Sequence, residues 1–159
     1  MIVAPISGAL SDRFDSRYIS SAGMGFIATG IFLLSRLRLD SPDSYILMTL
    51  AITGLGTGLF QTPNNSAIMG SVPGNRRGVA SGMLATMRNM GMVLGVAISG
   101  ALFSSRQAHL KVVLATAGMA GSELAVNSFI GALSFTFTVA SALAALAMLT
   151  SLSRGSTRT

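Results

Sequence analysis

Few residues in this 159-residue chain have chemistry that could act on a ligand. Arg88 is the foremost, an arginine about ten residues into the otherwise uncharged run from Gly78 to Ser105. A guanidinium at that depth either faces a cavity or a bound partner, to which it offers charge-assisted hydrogen bonds, or fixes packing by pairing with backbone carbonyls or a neighbouring helix. Gln61, Asn64 and Asn65 form a second cluster around Pro63. They either line a path for a polar ligand or satisfy backbone groups that the proline frees. Covalent and acid–base chemistry lacks its parts. There is no cysteine, His109 is the only histidine, and the five acids (Asp12, Asp15, Asp40, Asp43, Glu123) fall in charged segments away from both clusters. No catalytic residue, metal site or cofactor is expected.

The elements that must position these residues follow from composition. Half the chain is hydrophobic and 10% is charged, against roughly 25% charged in soluble domains. That excludes an ordinary soluble enzyme and a disordered chain, and it makes the lipid bilayer the expected partner. The net charge of +6 is spread singly or in pairs with no basic stripe, so no nucleic acid is expected. A helix needs roughly 20 apolar residues to cross the hydrocarbon layer. Runs meeting that need lie at 18–35, 44–71, 79–105 and 125–152, the second kinked at Pro63. Residues 1–10 are apolar but too short to cross and lack a basic leader. They read as the end of a transmembrane helix whose beginning is missing, or as a short interfacial segment. Loops fall at 11–17, 36–43, 72–78 and 106–124, with a tail at 153–159. Arg13, Arg17, Arg76, Arg77, Arg154 and Arg158 share one side, and Arg36, Arg38, Arg106 and Lys111 the other. The positive-inside rule then places the first loop, the third loop and the C-terminus in the cytoplasm of a cell-membrane protein, and 106–124 outside.

Small residues fill the spans. Gly54, Gly56 and Gly58 crowd one helix ahead of Pro63, while Gly78 and Gly82, then Gly91, Gly95 and Ser99, repeat a small-xxx-small spacing that favours close helix packing or a hinge. At helical spacing Ser81, Ala85, Arg88, Gly91, Gly95 and Ser99 share a face expected to point into the bundle. Gly23-x-Gly25-x-x-Ala28 matches a dinucleotide fingerprint only formally. No strand precedes it, so it reads as packing.

Two stretches carry a family resemblance. Gly8-Ala-Leu-Ser-Asp12-Arg13-Phe-Asp-Ser-Arg17 is similar to the cytoplasmic loop motif of the major facilitator superfamily, with Asp15 and Ser16 departing from it. The stretch from Gly54 to Gly95 resembles a late helix pair of its drug:proton antiporter branch with fourteen spans, at Pro63, Pro73, Arg77, Gly78, Ala80, Ser81, Gly82, Arg88, Gly91, Leu94 and Gly95. The resemblance implies an all-α multi-pass membrane protein, the C-terminal part of a major facilitator helical bundle. It implies a proton-coupled exporter of a small-molecule substrate working by alternating access, with the N-terminal half as the absent partner. Gly8, Asp12, Arg13 and Arg17 would then be cytoplasmic gate elements, and Arg88, Gln61, Asn64 and Asn65 the substrate pathway. Two other readings stand beside it: a non-transporting remnant or module that needs a partner half, and a metabolite importer of the same superfamily.

Overall fold

The computed structural model describes residues 16–153, with side chains from Tyr18 to Ser151. Gly8, Asp12, Arg13, the segment 1–10 and the tail from 154 lie outside the described residues. The described residues contain helices and turns only, as an apolar chain must when lipid supplies no partner for its backbone. Helix α1 is Ser16–Leu34, α2 is Asp43–Gly70, α3 is Arg77–Thr116 and α4 is Gly121–Ser153, with a single 3-10 turn at Gly74–Arg76 between α2 and α3. α2, α4 and the combined 3-10 turn and α3 are each long and apolar enough to cross a membrane; the apolar part of α1, Tyr18–Leu34, is shorter.

The helix ends are local chemistry. Pro42 precedes α2 with extended backbone (φ −68, ψ 149), as a residue outside the first turn should. Pro73 cannot continue α2 and leads into the 3-10 turn. α3 stops in a Schellman arrangement: Gly118 donates to the Ala115 carbonyl and Met119 to that of Leu114, both at 3.0 Å, with Gly118 at φ +90. The segment 106–124 is therefore not a loop. Helix continues to Thr116, and only 117–120 separate α3 from α4. Apolarity ends near Ser105, but Arg106, His109 and Lys111 are compatible with helix, so the end of hydropathy and the end of the helix differ. α2 likewise runs through Pro63 as one helix, with the proline fully buried.

The helices pack in the order α2, α1, α4, α3, and α2 scarcely touches α3. The α1–α2 crossing is the closest. A Cβ on Gly23 would stand 2.6 Å from the Phe60 nitrogen and 2.8 Å from the Gly56 oxygen, and one on Gly56 would stand 2.7 Å from the Gly23 oxygen. Gly30 similarly backs onto Thr53 and the Thr49 carbonyl. Buried positions are mostly small or hydroxylated: Ser20, Ser21, Ser35, Thr49, Ser128, Ala132, Thr136 and Ser141. Several of their hydroxyls bond a carbonyl of their own helix, as where Thr49 donates to the Ile46 carbonyl at 2.8 Å and Thr136 to that of Ala132 at 2.9 Å. This is the packing expected where lipid removes the hydrophobic drive between helices.

Two hydrogen bonds pin α4 antiparallel along α1. Ser21 Oγ donates to Ser151 Oγ at 3.0 Å near one end, and Ser134 Oγ donates to the Ser35 carbonyl at 2.5 Å at the other. Tyr45 Oη donates to the Leu33 carbonyl at 2.8 Å, which sets the start of α2 level with the end of α1. Beyond Ser134, α4 has thirteen more residues back to Gly121. At about 1.5 Å per residue the α3–α4 hairpin extends about 20 Å past the end of α1.

Candidate functional site

Gln61 and Asn65 are four residues apart in α2, so their side chains stand one above the other on a single face. Across the narrow seam, Arg88 of α3 reaches both. Its Nη2 donates to Asn65 Oδ1 at 3.4 Å. The Gln61 amide takes the orientation in which its oxygen faces the guanidinium, accepting from Nη1 at 2.9 Å and from Nη2 at 2.8 Å. Three of the four pathway residues expected from sequence thus converge. Arg88 is exposed, while Gln61 and Asn65 are half-buried.

Asn64 is not part of this cluster. One residue short of Asn65, it turns into a crevice of about 220 Å³ lined by Met24, Phe60, Asn64, Ala147, Thr150 and Ser151. The chain folds so because a step of one residue turns a helix by about 100°.

The face of α3 that carries Arg88 does not point into the described bundle. From Gly78 to Ile98 only Ala80 and Leu84 are even half-covered, and a Cβ at Gly78, Gly82, Gly91 or Gly95 would meet nothing within 4 Å. The same holds for Gly54. α3 packs on α4 nearer its far end, where Phe103 meets Phe129 edge to face (centroids 5.3 Å apart) and Leu110 covers Gly131. Among the spaced glycines expected to pack, Gly56 is the one whose close approach is seen among the described residues. Its partners are Gly23 and Ile27, both within the Gly23–Ala28 stretch that matches a dinucleotide fingerprint only formally.

Sequence reasoning missed Arg106. Its guanidinium carbon lies 5.0 Å from the Phe135 ring centroid, and its Nε is buried with no hydrogen-bond partner among the described residues. Read as a loop residue, it gave no sign of this. Its place on α3 could have been found from the eighteen-residue spacing to Arg88, which is five whole turns. Arg17 begins α1 in the second position of the helix. No group of three or more His, Cys, Asp or Glu stands close enough to hold a metal among the described residues.

Comparison with known proteins gives the context of this geometry. A family model described as Major Facilitator Superfamily matches residues 1–150. The chain is 36% identical to the riboflavin transporter RibZ of Clostridioides difficile over 104 residues, 65% of this chain and 23% of that protein. It is 35% identical to the uncharacterized transporter YebQ of Escherichia coli over 118 residues, 72% of this chain and 26% of that one. It is 31% identical to the multidrug resistance protein Stp of Mycobacterium tuberculosis over 104 residues, 65% of this chain and 19% of that one. The matched region thus spans about a fifth to a quarter of the length of these curated relatives.

Proposed function

This chain belongs to the major facilitator superfamily, and we propose that its helices form part of the C-terminal portion of a secondary active transporter that exports a small molecule by alternating access. Membership makes it a multi-pass membrane protein of a transporter family and not an enzyme. The observation that carries the export-pathway reading is the Arg88–Gln61–Asn65 cluster: a charged side chain in an apolar stretch, held by two amides of the facing helix and open on its outer side. Sites of this kind in transporters lie near the bilayer midplane between helices. In this reading the uncovered length of α3, with Gly78, Gly82, Gly91 and Gly95, packs against the N-terminal half. Asp12, Arg13 and Arg17 gate the cytoplasmic side, proton uptake drives export, the C-terminus is cytoplasmic and the protein sits in the cell membrane. Similarity to a multidrug resistance protein supports export of drug-like molecules.

The test is dye retention in cells expressing the complete reading frame, with a panel of anionic, neutral and cationic fluorescent dyes. Export is expected to lower retention of at least one dye, to fail when the proton gradient is collapsed, and to weaken in Arg88→Ala. Retention that is identical with and without the protein for every dye would count against export. The 36% identity to a riboflavin transporter favours a second reading, movement of a vitamin-like metabolite. Growth rescue of a riboflavin-requiring strain at limiting supply would separate import from export.

A further inference from the structure

We infer that the Arg88–Gln61–Asn65 cluster binds the oxyanion of its ligand, so that the transported molecule carries a carboxylate or phosphate and is not a cation. This rests on the transporter reading above and adds the substrate class. Its first support is uncompensated charge. The acids among the described residues are Asp40, Asp43 and Glu123. Asp43 stands at the opposite end of α2, eighteen residues from Gln61, or about 27 Å along the axis. Glu123 is farther still, in the first turn of α4 beyond the end of α1. No described ion pair neutralises Arg88. An arginine in an apolar layer without a counter-charge is costly, and an arriving oxyanion removes that cost with charge-assisted bonds.

The second support is the direction of the hydrogen bonds. The Gln61 oxygen accepts two N–H groups of Arg88, which fills its two lone pairs, and Asn65 Oδ1 accepts another. Three of the five guanidinium donors are thereby used, and the remainder, with the Asn65 amide NH₂, face a ligand as donors. The cluster offers positive charge and donors where a cationic drug would need acceptors. The third support is Arg77. Eleven residues before Arg88, it lies three turns down the same face of α3, about 17 Å away, and is exposed. Two like charges along one face attract anions and repel cations.

The test uses cells expressing the complete reading frame, loaded either with carboxyfluorescein, released inside from its diacetate, or with ethidium. Carboxyfluorescein efflux above the vector control is expected, with little ethidium efflux. Arg88→Gln should slow carboxyfluorescein efflux and weaken its binding to purified protein by about tenfold or more. Arg88→Lys, which keeps the charge but loses the planar fork, should fall between wild type and Arg88→Gln. Membrane abundance of each variant, measured by immunoblot, separates loss of folding from loss of the site. Ethidium efflux without carboxyfluorescein efflux would overturn the oxyanion assignment and leave the transporter reading standing. Equal loss of both dyes in Arg88→Gln at normal abundance would also overturn it, because Arg88 would then hold the fold or pair with a carboxylate from another part of the chain. Absence of both efflux and binding for either dye in the wild type would overturn the transporter reading and this inference together.

Discussion

Replacing Gly23 by alanine tests the α1–α2 crossing, and the structure sets the size of the effect. The added Cβ would lie 2.6 Å from the Phe60 nitrogen, 2.8 Å from the Gly56 oxygen and 3.0 Å from the Leu59 carbonyl carbon, where ordinary contact begins at 3.4 Å. All three neighbours are backbone, so no side chain can turn aside. The helices must separate by about 0.8 Å, and a gap of that order forfeits a quarter to a half of each dispersion contact it opens. Overpacking of this kind costs about 1–3 kcal/mol. Alanine returns about 0.5–1 kcal/mol through its helix propensity. Gly54→Ala is the matched control: its Cβ meets nothing within 4 Å, so only the propensity gain remains. The expected separation between the two variants is about 1–3 kcal/mol, Gly23→Ala being the less stable. Reversible unfolding by sodium dodecyl sulfate titration in mixed micelles reads this as a shift in midpoint. Coincident midpoints, or a higher one for Gly23→Ala, would refute the crossing as described.

Gly56→Ala should behave like Gly23→Ala in the same titration, since its Cβ would lie 2.7 Å from both the Gly23 oxygen and the Ile27 nitrogen. Gly131→Ala should be mild, within about 1 kcal/mol, because the atom it meets, Leu110 Cδ1 at 2.7 Å, ends a side chain that can rotate. Gly118→Ala places a Cβ at φ +90 and should cost about 1–3 kcal/mol, visible as faster proteolysis within 117–120 with α1 and α2 unaffected. Arg106→Ala removes the stacking on Phe135 and should lower the unfolding midpoint by about 0.5–2 kcal/mol. Arg106→Met, which keeps the aliphatic stem and removes the unpaired Nε, should recover most of that loss.

The helices themselves were legible because lipid makes the sequence rule simple. The apolar runs at 18–35, 44–71 and 125–152 each lie in one helix, Ser16–Leu34, Asp43–Gly70 and Gly121–Ser153. The rule failed where charge and helix end parted company, at Arg106 to Thr116, because an arginine marks the edge of the hydrocarbon and not of hydrogen bonding. The glycine that stops the helix, Gly118, lay within the same stretch and was the better signal. At the site, residue type alone singled out Arg88, Gln61 and Asn65. Their meeting could not be read from spacing, since it depends on how α3 leans on α2. Asn64 was grouped with them by proximity in sequence, whereas helical phase sends it to another crevice. Small-residue spacing likewise says that a face permits close approach, and only the neighbour decides whether approach occurs. Gly56 has such a neighbour in Gly23, and Gly91 has none among the described residues.

The unequal lengths of the two hairpins bear on how this protein can be handled. α1 covers about 28 Å, close to the thickness of the hydrocarbon layer. The α3–α4 hairpin projects about 20 Å beyond its end. The turn at 117–120 is at the tip of that projection. An epitope or a single cysteine can be placed there, and this chain has no other thiol to confuse the label. Whether a membrane-impermeant reagent reaches that tip from outside an intact cell would fix the orientation of all four helices in one measurement.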